Sequence, residues 1–398
     1  MPTPPPGPAD AVPDPSAAPM LRAPDDGEST AAYGDALATP PAGDALFGAA
    51  PAPLPALSPE AIERSRRALG VWLIILLVFG AGGVLLGQVE MALLVAVSGV
   101  VIAAHAADFH PRFELLYRAL SVVLIGMCGV TLLGLAAVLR QSSLHGPIGA
   151  MIPSLSLVFG LLMFATGLPH VGKGLARFLF GARGDSHSFR LAARLTLFGF
   201  LLAIPGWFAA QTLLEQSGDM EAMFKNLSFG GAIFGYIILA LAAVGFLIRR
   251  DVRSTLERLG LTRPRARHLL LVAIGVPVLW GLNSAGEWGQ QHWFPSLWEA
   301  DRHFNEALVG ALDHRAMVAL ALTAGIGEEI TMRGALQPKL GLVRTSLFFA
   351  ALHVQYSWYG MTLIFALGLV LGIIRKRSNT AVAMAVHAIY DLLALIAT

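Results

Sequence analysis

Ala324-Gly325-Ile326-Gly327-Glu328-Glu329-Ile330-Thr331-Met332-Arg333 sets two adjacent carboxylates and an arginine inside an apolar run. Apolar sequence of membrane-spanning length continues on both sides of it. An ionisable side chain in hydrocarbon costs at least about 2.5 kcal/mol, so such a group marks a functional site by default. Two more interruptions follow in the next apolar segments. His353 closes Leu347-Phe348-Phe349-Ala350-Ala351-Leu352-His353, and His387 and Asp391 break Ala383-Met384-Ala385-Val386-His387-Ala388-Ile389-Tyr390-Asp391. Acid–base side chains in three of the last four membrane helices have the make-up of a hydrolase site.

Composition points the same way. The chain is 55% apolar and 14% charged, against about 25% charged for a soluble domain. Residues 1–59 differ from the rest: they hold fifteen of the 24 prolines and a single basic residue, Arg22. A stretch with so little apolar surface cannot offset its ordering entropy, so it reads as a disordered Pro/Ala-rich tail. It lacks the basic and apolar regions of a cleavable signal peptide. Ser58-Pro59-Glu60 then reads as an N-cap, a proline at the first helical position and an acid in the first turn.

Beyond the tail, eleven segments have about the length needed to cross hydrocarbon. They are 68–87, 89–107, 118–139, 148–168, 191–211, 229–248, 268–285, 316–337, 344–356, 358–375 and 379–397, the ninth being short. The expected fold is therefore an all-α polytopic membrane protein of about eleven transmembrane helices. Residues 60–312 supply accessory helices and 313–398 the catalytic ones. Every basic cluster falls on one side of this arrangement. Arg64, Arg66 and Arg67 precede the first span, and Arg249, Arg250, Arg253, Arg258, Arg263, Arg265 and Arg267 follow the sixth. Arg375, Lys376 and Arg377 follow the tenth. The positive-inside rule places the N-terminus in the cytoplasm and the C-terminus outside, as for a protein of a bacterial inner or plasma membrane.

The net charge of +2 reflects these loops rather than a nucleic-acid surface. No phosphate-binding glycine loop, zinc-finger spacing or repeat is present. Cys128 reads as an apolar packing residue. Trp280, Trp288, Trp293 and Trp298 have the spacing of interface anchors around an outer loop. Residues 296–312 read as an amphipathic helix on that face.

Depth decides whether the interrupting side chains can meet. At 1.5 Å per residue, Glu328 lies ~13 Å from the cytoplasmic end of its span, His353 ~13 Å, His387 ~12 Å and Asp391 ~18 Å. The depths agree within about one helical turn. Glu329 and Arg333 stand four apart and share a helix face, so they can pair as ions. Glu328 is rotated about 100° from Glu329 and faces another neighbour. His387 and Asp391 are also four apart, so Asp391 can orient His387 or complete a polar pocket with it. Taken singly, a histidine in an apolar helix is usually a packing residue, and a Glu–Arg pair near a helix end often snorkels. The common depth of all three sets argues for a site.

Glu328-Glu329-x-x-x-Arg333, Phe349-x-x-x-His353 and His387-x-x-x-Asp391, in this order along the last four helices, resemble the three motifs of the CPBP family. That family contains the type II CAAX prenyl endopeptidases and the bacteriocin-processing and lysostaphin-resistance proteins. The resemblance covers residues 316–395 and implies an intramembrane glutamic endopeptidase acting on a membrane-associated protein or peptide. It implies that Glu328 and His353 activate water, and that His387 and the residue four beyond it stabilise the oxyanion. The prenyl proteases usually carry Asn at that last position, where this chain has Asp391. An ionised aspartate cannot donate a hydrogen bond, so Asp391 must be protonated or serve by orienting His387.

Residue chemistry agrees: peptide hydrolysis needs a base for water, an acid for the leaving amine and donors for the oxyanion. No cofactor is expected. Glu328, His353 and His387 could instead form a two-His, one-Glu zinc site, the second-ranked reading. From other classes, a proton-coupled transporter and a non-proteolytic membrane scaffold are the competitors. Against transport, the ionisable groups sit in the last helices with no paired broken halves.

Overall fold

The structure is a computed structural model describing residues 59–141, 146–216, 224, 231–263 and 265–397. The expected tail lies, but for Pro59, outside the described residues. No strand occurs among the described residues. The helices are α1 (Pro59–Leu85), α2 (Val89–Ala107), α3 (Glu114–Gln141), α4 (Gly146–Ala165), α5 (Pro169–Phe180), α6 (His187–Gln216), α7 (Ala232–Val244) and α8 (Val252–Leu259). They continue with α9 (Arg267–Trp293), α10 (Pro295–Gly310) and α11 (His314–Leu322). Two π-helical segments, Thr323–Glu328 and Ile330–Leu336, lead into α12 (Gln337–Leu340). The last helices are α13 (Leu342–Ala351), α14 (Trp358–Arg377) and α15 (Thr380–Ala397).

Each of the eleven expected spans falls on a helix, but they are not equal. Seven helices are long and apolar enough to cross a membrane. Two more spans are bent pairs, one turning by 99° between residues 165 and 169 and one by 118° between 310 and 314. At the first bend Leu168 is extended ahead of Pro169, because proline disfavours helical backbone in the residue before it. At the second, Asp313 caps α11 by accepting from the backbone N–H of Ala316. The remaining two are short: α7 has 13 residues and α13 has 10. At 1.5 Å per residue these reach only about 20 and 15 Å, less than a hydrocarbon core of about 30 Å.

Outward faces carry the apolar side chains that a lipid solvent favours. In the spans of α1 and α9 only 17% of the most apolar window is buried inside the protein. Leu73, Ile74, Leu77, Leu269 and Leu270 all stand exposed. Trp288 and Trp293 are exposed as well, as interface anchors would be. Cys128 is buried in a cluster with Leu132, Met163 and Leu201. Inside, α2 packs on α1 and α7, and α7 lies along both π segments. On the opposite flank α15 crosses the first π segment and packs on α9 and α14. Leu279, Leu371, Val382 and Val386 make that second core. Ala240, Val244, Leu259, Ile330, Ala335 and Met384 join the two halves.

Candidate active site

The doubled carboxylate lies where two π-helical segments meet: Glu328 ends the first and Glu329, in α-helical conformation, stands between them, so the regular α-helical geometry assumed for depth and rotation does not hold here. π-helical turns are rare and concentrate at functional sites. Small residues let neighbours close on this wide coil. A Cβ on Gly325 would stand 2.5 Å from the Ala388 backbone nitrogen, and one on Gly327 would stand 2.7 Å from the Tyr236 ring. α15 and α7 therefore press on the coil directly at the motif.

Glu329 and Arg333 have no solvent exposure, and Arg333 Nε lies 3.2 Å from Glu329 Oε2. The ions are close, but their alignment is not that of a hydrogen bond: among the described residues none of the three guanidinium nitrogens makes one. The guanidinium also sits over the Phe349 ring, 5.0 Å from its centroid. Phe349 thus covers the cation with a π face, an arrangement strongest where water is excluded.

Glu329 reaches in a second direction. Its Oε1 is 3.2 Å from His387 Nδ1, while His387 Nε2 is 3.3 Å from Asp391 Oδ2. Both ring nitrogens thus face carboxylate oxygens. Each such contact needs a proton, so the three groups must share two, on the imidazole alone or split between it and an acid. The i, i+4 pairing of His387 with Asp391 and that of Glu329 with Arg333 are both present; the bridge between helices, Glu329 to His387, had no signal in the sequence.

His353 follows the end of α13, in irregular backbone that runs to Ser357. Its Nδ1 is 2.8 Å from the Phe349 carbonyl oxygen, and the Phe349 and His353 rings meet edge to face at 4.7 Å. A carbonyl only accepts, so Nδ1 carries the proton and Nε2 keeps its lone pair. His353 lies within electrostatic range of His387 and Asp391. Glu328 is half-buried and lies within range of His387, Glu329, Arg333 and Glu90. Among the described residues no side chain hydrogen-bonds its carboxylate, and none links it directly to His353.

Irregular backbone at membrane depth is tolerated where it is buried in protein or lines a cavity. Here Asp301 of α10 holds it. The buried carboxylate accepts from the Ser357 backbone N–H at 2.7 Å, from Ser357 Oγ at 2.7 Å and from Gln290 Nε2 at 2.7 Å. The Tyr356 hydroxyl donates to Asn305 Oδ1 at 2.9 Å. So the helix expected as an outer amphipathic element anchors the His353 loop. Two further polar residues, Tyr236 and Glu90, lie beside the site without any signal in the sequence. The Tyr236 hydroxyl donates to Glu90 at 2.7 Å, and its backbone oxygen accepts from Thr331 at 3.4 Å, which brings a third carboxylate near Glu328. Glu90 gave no cue because it stands in the first turn of α2, where acids are ordinary, and Tyr236 gave none because a tyrosine in an apolar helix reads as packing.

A zinc site needs three donors converging on one point. His387 has both nitrogens against carboxylates, and among the described residues no group of three His, Cys, Asp or Glu side chains is arranged to hold a metal ion. The residues do not fit zinc, and no chemical step runs through it.

Residues 312–393 match the family described as type II CAAX prenyl endopeptidase Rce1-like. A 158-residue stretch is 30% identical to the uncharacterized protein YpbD of Bacillus subtilis (strain 168), covering 39% of this chain and 80% of that one. The chain belongs to this family. No solved structure matches it. The matched residues begin at α11 and end in α15, so they enclose both π segments, the His353 loop and the His387–Asp391 pair. Family membership makes the protein an integral-membrane protease.

Proposed function

We propose that the protein is an endopeptidase that hydrolyses a peptide bond within the membrane, in a membrane-associated protein or peptide, using water activated by Glu328 and His353. One observation carries this reading: Nδ1 of His353 is occupied by the Phe349 carbonyl, which leaves Nε2 as a proton acceptor. Glu328 has no competing hydrogen bond among the described residues, while its neighbour Glu329 is engaged with Arg333 and His387. One carboxylate is thus free for chemistry and the other holds the frame.

In the reaction, water loses a proton to the Glu328–His353 side and its oxygen attacks the scissile carbonyl carbon. The electron pair of the carbonyl moves to oxygen, and a positively charged His387 held by Asp391 and Glu329 stabilises that oxyanion. The C–N bond then breaks as the proton taken from water passes to the leaving amine, giving a carboxylate and an amine product. Arg333 does no chemistry; it fixes the Glu329 carboxylate.

Kinship with prenyl endopeptidases makes an isoprenylated CAAX peptide the first probe. The full chain, purified in lipid nanodiscs, is incubated with that peptide and with membranes from which the gene has been deleted. Appearance of new C-terminal fragments in wild type, and their absence with Glu328→Gln, is the expected result. Intact precursors in both, together with proton uptake by sealed vesicles, would replace a protease with a transporter.

A further inference from the structure

Away from the candidate active site, five cations and a histidine converge on one pocket. His105, Arg183, Arg249, Arg250, Arg258 and Lys339 line it. They come from five places: the end of α2, the turn before α6, the turn after α7, α8 and α12. All lie at one end of the bundle, the end carrying the basic loops.

Hydrogen bonding leaves much of this charge uncompensated. Arg249 pairs with Asp108. Burial opposes ionisation of Asp108, yet hydrogen bonds from His187 and Ser188 and the Arg249 charge hold it well below the usual carboxylate range. Arg258 instead donates to the Gly334 carbonyl at 2.9 Å, and Lys339 donates to the Ala243 carbonyl at 2.9 Å. Backbone carbonyls satisfy the hydrogens but carry no net charge. Among the described residues, Arg183, Arg258 and Lys339 have no carboxylate at ion-pair distance. Burial first, and then the like charges of Arg250, Arg375 and Arg183, push Arg258 down to about 9.

His105 adds an unused donor. Arg249 Nε, which can only donate, lies 2.6 Å from His105 Nδ1. Nδ1 must accept, so the ring proton sits on Nε2. That atom is buried, in a residue 4% exposed, and has no hydrogen-bond partner among the described residues. Arg183 Nε is in the same position.

We propose that this pocket binds a phosphate group, held by Arg183, Arg258, Lys339 and the Nε2–H of His105. A planar carboxylate with one charge is matched by one arginine fork, whereas donors from several directions with several charges match a tetrahedral phosphate. At the membrane end with the basic loops, the group can come from an anionic phospholipid headgroup or from a soluble phosphate. Because Arg258 and Lys339 also bond the backbone around the second π segment and α7, bound phosphate braces the helix that carries Glu328 and Glu329.

The test uses the full chain in nanodiscs of phosphatidylcholine alone or with phosphatidylglycerol. Tm and calorimetric binding are followed as inorganic phosphate is added at constant ionic strength, with acetate as control. A Tm rise with inorganic phosphate in neutral discs identifies a soluble source. A rise with phosphatidylglycerol and none with inorganic phosphate identifies the lipid. In either case Arg183→Gln, which has no Nε bond to lose, should weaken the effect about tenfold, the loss of one charge-assisted hydrogen bond. Arg258→Gln should do the same, while Arg253→Gln, at an exposed arginine on the same side, should change it less than about twofold. Three outcomes overturn the proposal: no response to either anion, an equal loss with Arg253→Gln, or acetate acting as well as phosphate.

Discussion

His353 turns its Nδ1 toward the carbonyl oxygen of Phe349, 2.8 Å away and one turn back in the chain. The contact fixes the tautomer without any second side chain, because a carbonyl cannot donate. It also uses the end of α13, where the His353 N–H has turned to the Ala350 carbonyl and the Phe349 carbonyl keeps only a longer bond, 3.3 Å, from the Leu352 N–H. A motif that spaces Phe349 and His353 four apart therefore specifies a backbone acceptor as much as an aromatic ring.

His353→Ala should lower kcat by about 10²–10⁴, the usual contribution of one general base, with a folded and membrane-inserted protein. Phe349→Leu is the instructive partner. It leaves the carbonyl in place, so the tautomer and the pH profile of kcat should be unchanged. Stability should fall by about 1–2 kcal/mol, from the lost ring packing and the lost contact with Arg333. A shifted pH profile in Phe349→Leu would show that the ring, not the carbonyl, sets the state of His353.

Glu328→Gln should abolish cleavage while leaving Tm near wild type, since among the described residues no hydrogen bond to Glu328 is lost. Glu329→Ala and Arg333→Ala should both destabilise, by about 3–5 kcal/mol each, because each strands the other ion in a site with no exposure. The combined Glu329→Leu, Arg333→Met protein should recover part of that loss. A stable Arg333→Ala protein with no activity would move Arg333 into the chemistry.

These contrasts also show where the sequence stopped being readable. Long apolar runs and basic clusters located the helices, and the i, i+4 spacings of Glu329 with Arg333 and of His387 with Asp391 showed which side chains share a face. The π coil escaped because residue type does not distinguish it from α-helix, and the close approach of α7 and α15 to Gly325 and Gly327 is a tertiary contact that no local pattern records. The Glu329–His387 bridge escaped because it joins two helices whose relative rotation no local period records. Asp301 escaped for a different reason. In a helix with Glu299, Arg302 and Glu306, which pair among themselves at the surface, one more acid looks solvated, and only the tertiary structure shows it buried against Ser357.

Asp301 should therefore behave as a positioning residue. Asp301→Ala leaves the Ser357 N–H without its acceptor, at a cost of about 1–3 kcal/mol. It should reduce kcat more than it raises KM, because the His353 loop loses its anchor. Asp301→Asn keeps one oxygen for that N–H and should restore most of kcat. If both variants lower stability with kcat unchanged, the clamp is only structural.

Purified enzyme incubated at length with a chelator should keep its activity, and added Zn²⁺ should give no stimulation. The expectation follows from the carboxylates on both nitrogens of His387, which leave it no lone pair for a metal. Loss of activity on chelation and its return with Zn²⁺ would reverse this assignment.

Asp391 is where this chain departs from the Asn usual in prenyl endopeptidases, and its position limits what it can do. Its Oδ2 lies 3.3 Å from His387 Nε2, on the far side of the ring from Glu329. Asparagine in its place still offers an oxygen to an Nε2–H, so Asp391→Asn should keep kcat within about threefold of wild type. Leucine offers nothing and leaves the ring held from one side, so Asp391→Leu should slow kcat by about tenfold or more, the value of a lost hydrogen bond to a charged group. Both proteins should fold, since Asp391 is not among the fully buried side chains. The kcat values of the three forms then separate the possible roles. Equal activity of the Leu and Asn variants would mean that Asp391 does not orient His387. An inactive Asn variant would mean that the negative charge itself, and not the acceptor, is what His387 requires to stay positive beside the oxyanion.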